Sequence, residues 1–501
     1  MYTFSKKLKN IAFALMILGI VGIVYGFYSA PKTIEEVEKI VAESHHGANH
    51  EAKTHESHTT QETPEVKIGE THATEDSTAT NKIGTEVQHD STNATKMDSA
   101  KTEVAPVIAE NHHNNTSANE NVDAEKEHKE HLLHVLHQLK NKPWAALYVA
   151  CIFFLLISLG VLAFYAIQQV AQAGWSPVLF RVMQGITAYL PVASVIFFVL
   201  LLLSGFHINH LFVWMNEGVD VVGHENYDKL IAGKTGYLNV AFWLSRAAIF
   251  LFGWNLYRYL SRKNCLAQDE SNDNSFYKKN FKMSAGFLVF FIVTESIMSW
   301  DWIMSVDPHW FSTLFGWYVF ASFFVSGITT ISMVTLYLKS QGYLENVNTS
   351  HIHDLSKFMF GISVFWTYLW FSQFMLIWYS NIPEEVTYFK FRIEHYNITF
   401  FGAVAMNFIL PFLLLINTDF KRITGIVFFA GTIILLGHYV DFFNMIMPAT
   451  VGDQWFIGIS EISSLLFFLG LFIYVVFSAL SKVPLTPKNN PFIEESKHFH
   501  Y

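Results

Sequence analysis

The stretch FLVFFIVTESIMSWDWIMSVDPHWFSTLFGWYVFASFFVSGITTISMVTLY, from Phe287 to Tyr337, decides the fold. Two apolar runs flank a short polar hinge. Each run is long enough to cross a bilayer as a helix, because about 20 residues at 1.5 Å rise cover a ~30 Å hydrocarbon core. The first run nevertheless carries Glu295 in its middle and Asp301 near its end. The hinge adds Asp307, Pro308 and His309 among Trp300, Trp302, Trp310 and Trp317. An acid inside a membrane helix is expensive, so it faces protein or water and marks a functional position. Trp at the ends of such runs is the belt expected at lipid headgroups.

The rest of the chain follows the same pattern. Of its 501 residues 51% are hydrophobic and only 15% charged, and the apolar residues gather into blocks of span length. The net charge of −9 is dispersed, with no basic stripe, which excludes a nucleic-acid partner. Cys151 and Cys265 provide neither a disulfide framework nor a metal cage. No C-x-x-C-H motif is present, so no covalent haem is held, and an iron–sulfur cluster lacks its ligands.

Taken in order, Lys6, Lys7 and Lys9 precede the apolar run Ile11–Tyr28. Tyr28 and Pro31 make a poor cleavage site after Ala30, so residues 1–30 read as an uncleaved anchor. Residues 31–125 hold no aromatic residue and are rich in His, Glu, Thr, Asn and Lys. Such a segment buries too little apolar area to offset its ordering entropy and reads as a disordered tether. Thirteen of the 23 His lie between residues 29 and 143, which leaves metal binding as the alternative to a solvated tether. Within 126–143, His128, His131 and His134 alternate with Leu132, Leu136 and Leu139 at helical spacing. That pattern predicts an amphipathic helix with its His wet.

Nine further spans are expected over residues 144–480, at Trp144–Gln169, Gln184–Phe206, Tyr237–Tyr259, Ala285–Met304, Ser312–Tyr337, Leu355–Tyr379, Tyr396–Ile416, Ile423–Phe443 and Phe456–Ser478. A tail, 481–501, follows. Counting Lys and Arg outside the tether gives seventeen on one side, from Lys6 to Lys497, against Lys229, Lys234, Lys390 and Arg392 on the other. Ten spans with both termini cytoplasmic and the tether outside follow from that bias.

The polar residues can then be placed by depth. Arg246 and Asp301 fall in the outer halves of adjacent spans, with Glu295 mid-depth, so Arg246 is expected to pair with Asp301 or Glu295. That pair reads either as a helix-fixing ion pair or as part of a proton path. His438 and Asp441, three residues apart, share a face, with Glu461 at similar depth; here the alternative to a proton path is an interface cluster meeting water or a partner. Ser322, Ser326, Thr329, Thr330 and Met333 form a stripe on the sixth span, and Ser363, Trp366, Thr367, Trp370 and Gln373 form one on the seventh. Such stripes mark tight helix packing or line a thread of water. His207 and His210 end the third span, where a quinone headgroup or haem iron could sit; the set of four opposed His at matched depth that a membrane b-type haem pair takes is absent, which leaves interfacial histidines as the alternative to a quinone site.

The run WDWIMSVDPHWFSTLFG (Trp300–Gly316), set within ten spans and ahead of HYNITFFGAVAMNFILPFLLL (His395–Leu415), resembles the ActF-type subunits of bacterial alternative complex III. These belong to the polysulfide-reductase/NrfD-type integral membrane family. The likeness covers about residues 140–480 and leaves out the His-rich tether. It implies two four-helix bundles with flanking spans in a bacterial inner membrane. It further implies a subunit without its own redox metal that scaffolds a quinol-oxidising complex and conducts protons. The implied partners are an ActC-like membrane subunit, an iron–sulfur subunit, multihaem c-type cytochrome subunits and a terminal oxidase.

Three function classes therefore compete. The first is the scaffolding, proton-conducting subunit, with Glu295, Asp301, Arg246, His438, Asp441, Glu461, Ser326 and Thr330 as path residues. The second is a quinol-oxidising subunit, with quinone, the one cofactor left open for this chain, received by His207, His210, Asp307 and His309. The third is a free-standing transporter; the short, Gly/Pro-broken half-helices of an inverted repeat would favour it, and Pro191 and Pro411 are isolated.

Overall fold

The computed structural model describes residues 2–41 and 116–500, and of residues 116–125 the backbone alone. The chain divides into two units. One comprises residues 1–34 and 134–501, the other residues 35–133. The smaller unit is described at residues 35–41 and 116–133, all of them helical. The tether was expected to be unstructured from residue 31, and this fails at both ends. At the first, Ile34, Val37 and Val41 recur at helical spacing, and Val37 is fully buried. The body of the tether, residues 42–115, lies outside the described residues, as does any metal-binding reading of its His.

Ten helices are long and apolar enough to cross a membrane, and no β-strand occurs among the described residues. We number the principal helices α1 (Lys6–Ser29), α2 (Thr116–Val170), α3 (Pro177–Gly205), α4 (Val240–Gln268), α5 (Ser275–Trp302) and α6 (Phe315–Ser340). They continue with α7 (Thr349–Ser380), α8 (Pro383–His395), α9 (Asn397–Leu415), α10 (Thr424–Val451) and α11 (Ile459–Leu480). All but α8 are of spanning length. The chain is an all-α, multi-pass membrane protein.

Helix α2 is the centre of the domain. Its spanning part, apolar on every side, is buried all round, as a helix without a polar face must be. It crosses α6 with almost no side chain between the backbones. A Cβ on Gly160 would meet the Phe323 carbonyl, and one on Gly327 would meet the backbone of Gly160 and Val161. Tyr148 of α2 donates to the Trp302 carbonyl of α5 at 2.8 Å, and Phe153 packs on Phe442 of α10. So α2 touches both halves, α3–α5 on one side and α6, α7, α9 and α10 on the other. Outside them α1 pairs with α11, where Gly19, Gly22 and Gly26 lie against Phe467, Ser463 and Ser460.

Several boundaries differ from the expected ones. The amphipathic segment and the second span form one continuous helix through Pro143. His128, His131 and His134 are exposed on it, as expected. The span before residue 416 is interrupted by a π-turn, Ala405–Ile409. The loop before it contains α8, which apolar-block counting does not see. We call the end of the domain carrying residues 303–314 the hinge end, and the other, where His351 meets the Ser496 carbonyl at 3.0 Å, the tail end.

Candidate functional site

At the hinge end of the first half, Arg246 grips Asp301 with both arms, Nε to Oδ2 at 2.6 Å and Nη2 to Oδ1 at 2.9 Å. Its third nitrogen donates to the Tyr237 carbonyl at 3.2 Å, and the guanidinium lies 4.0 Å from the Tyr237 ring. Asp301 has no exposed surface. Arg246 therefore chooses Asp301 over Glu295, in the planar bidentate geometry that suits Arg to carboxylate. Glu295, also buried, accepts one hydrogen bond, from Ser296 Oγ at 2.7 Å. Its Oε2 has no partner among the described residues.

The second half holds a denser cluster. Asp441 accepts from the Tyr318 hydroxyl, from Ser322 Oγ at 2.9 Å and from the Trp366 indole at 2.9 Å. His438 Nδ1 lies 2.9 Å from the same Ser322 Oγ and 3.7 Å from Asp441. With the Ser322 proton given to Asp441, His438 must donate from Nδ1 to Ser322, which leaves Nε2 as an acceptor. That nitrogen is buried and unpaired among the described residues. His438 is fully buried and Asp441 nearly so, and the wet-interface reading does not hold for them.

The hydroxyl stripe behaves differently from residue to residue. Ser326 donates to the Ser322 carbonyl at 2.7 Å and Thr330 to the Ser326 carbonyl at 2.8 Å, so their protons serve their own helix. Thr329 and Ser363 are buried with their hydroxyls unpaired. Asn407, on the π-turn, is also fully buried, and neither end of its amide is paired. Gly437 makes room for it, since a Cβ there would collide with the Asn407 carboxamide. A π-turn adds one residue to a helix and is frequent at functional positions.

Arg392 is the largest departure from expectation. Counted in the sequence as a short-loop charge, it is 3% exposed. Helix α8 folds it inward, where it donates to the Asn444 carbonyl at 2.9 Å and lies 3.3 Å from the Tyr388 ring centre. Tyr388 in turn stacks on Trp310 of the hinge at 3.9 Å. Burial pushes the Tyr388 phenol up and Arg392 pulls it down.

No hydrogen bond or ion pair joins the four quinone candidates to one another among the described residues. His207 and His210 are exposed at the end of α3, where the backbone of His210 is held by Asn141 of α2. His309 instead meets Asp228 at 2.5 Å. That hydrogen bond, followed by those from the Ile231 and Leu230 amides, holds the Asp228 carboxyl below the usual range. Asp307 is half-buried in the hinge. Glu461 does not join Asp441 in a shared hydrogen bond. Its Oε2 accepts from the Gly458 amide at 2.8 Å and caps α11.

A tail-end network was not anticipated. The Tyr165 hydroxyl gathers Gln169, Gln184, Ser261 and Asn280 at 3.1–3.3 Å, and buried Arg181 pairs with Asp269 beside it. These residues come from α2, α3, α4 and its C-cap, and α5, and they form no contiguous motif. Their one sequence signal is amide and hydroxyl groups inside long apolar spans.

No protein-family model and no curated protein matches the chain.

Proposed function

We propose that this chain is a scaffolding and proton-conducting subunit of a quinol-oxidising respiratory complex in a bacterial inner membrane. Its partners would be an ActC-like membrane subunit and proteins carrying iron–sulfur clusters and c-type haem, which pass electrons to a terminal oxidase. The likeness of Trp300–Gly316 supports the complex. In this reading the hinge end faces outward, as the Lys and Arg bias requires.

The observation that carries the proton role is the chain His438–Ser322–Asp441–Tyr318. A proton arriving at His438 Nε2 releases the one on Nδ1 through Ser322 to Asp441, and the ring returns in its other tautomer. Every link is a hydrogen bond already formed, and the residues lie inside the bilayer, where water cannot replace them. The Arg246–Asp301 pair has its charges matched and its donors used, which suits a helix-fixing role.

The test is proton release by the complex reconstituted in vesicles. Asp441→Asn is expected to lower quinol-coupled release on the order of 10²-fold, the scale of a lost acid–base group. Glu461→Gln keeps the α11 cap and is expected to leave release unchanged. Normal release from the Asp441 variant would remove the relay.

A further inference from the structure

Against α8 lies a small cavity of about 10 Å³, lined among others by Tyr318, Gln373, Tyr388, Arg392 and Asn444. Two of these side chains carry polar atoms that nothing among the described residues satisfies. Gln373, 4% exposed, has its Nε2 unpaired. Asn444, also 4% exposed, spends its amide N–H on the Thr399 carbonyl at 3.0 Å, and its Oδ1 is unpaired. One is a donor and the other an acceptor, on helices α7 and α10, at the wall of one cavity.

We infer that this cavity is a built site for a single water molecule, held by Gln373 and Asn444 and placed next to Tyr318. The volume is that of one water, about 10–15 Å³, and a buried water needs at least two polar partners. Accepting from Gln373 Nε2 and donating to Asn444 Oδ1, it removes both orphan groups at once. A metal cation is disfavoured by the Arg392 guanidinium on the same wall, and the space is too small for an organic ligand. Tyr318 lines the cavity and donates to Asp441, so a water that donates to the Tyr318 oxygen joins the same hydrogen-bonded chain from the α8 side. Gln373 and Asn444 are thereby further site residues, and Tyr388 with Arg392 forms the roof. The use of the water rests on the proton-path reading; its presence does not.

The test is a cryo-EM map of the intact chain in nanodiscs at a resolution that shows ordered water, joined to the thermal midpoint of Gln373→Met. A water bonded to Gln373 Nε2 and Asn444 Oδ1 is expected. The near-isosteric variant is expected to lose it and to melt lower, because Asn444 Oδ1 is left without a donor. A dry cavity, with Gln373→Met melting higher because an unpaired amide has been removed, would overturn the inference. Water in place together with normal proton release from Asp441→Asn would defeat the relay and leave the site standing.

Discussion

Asp301 and Asp441 are both carboxylates within apolar helices, yet their surroundings give them opposite work. Asp301 is matched by a full cation through two hydrogen bonds, whereas Asp441 is held by a phenol, a hydroxyl and an indole. Removing one partner of a buried pair leaves the other charge uncompensated, at a cost of about 3–5 kcal/mol. Asp301→Leu is therefore expected to destabilise the protein by that amount in thermal unfolding in detergent. Asp301→Leu with Arg246→Met together should recover most of it, since a well-packed apolar pair often replaces a buried ion pair without loss. A double variant as damaged as the single one would give this pair a role beyond fixing helices. Arg246, Asp301, His438 and Asp441 were legible in the sequence because a charge inside an apolar block stands out. Tyr318, Asn407 and Asn444 were not legible. Neutral groups in such a block give no signal until neighbouring helices bring them together, and Arg392 was hidden because it lies between spans.

Two helix pairs, α1 with α11 and α2 with α6, close up where side chains are missing. On α1, Gly22 faces the short side chain of Ser463 on α11. On α6, Gly327 faces the backbone of Gly160 and Val161, where no side chain is left to rearrange. In a bilayer such close approach supplies packing that the hydrophobic effect does not. Gly22→Leu is expected to cost about 1–3 kcal/mol, the usual range for overpacking, and to loosen α1 from α11. Gly327→Leu should cost more and disturb both halves. Thermal unfolding, with cysteine cross-linking between α1 and α11, reads the two effects separately; equal losses at both positions would contradict the crossing. All ten spans were legible from apolar run lengths, because a bilayer imposes a minimum length on each. Their ends, the π-turn and α8 were not, since helices project beyond the hydrocarbon and a single inserted residue leaves no compositional trace.

At the scale of the molecule, α2 serves as the common wall of two helix groups, each with a buried polar system of its own. The first half holds a bidentate ion pair at the hinge end and an amide–hydroxyl network at the tail end. The second holds a cluster of neutral donors around Asp441, beside a cavity the size of one water. The apolar faces left outward are broad, with Phe252, Val289, Tyr368, Ile398 and Leu413 all exposed. In a bilayer those faces meet lipid or neighbouring membrane subunits. The architecture was readable from composition; the proposed partners rest on the hinge likeness alone. The most direct test of the account is a gentle-detergent purification of the tagged chain, with a haem spectrum and quinone extraction of whatever accompanies it. The account predicts stoichiometric multihaem c-type cytochrome and a large iron–sulfur protein. A colourless protein purifying alone would contradict it and return transport to first place.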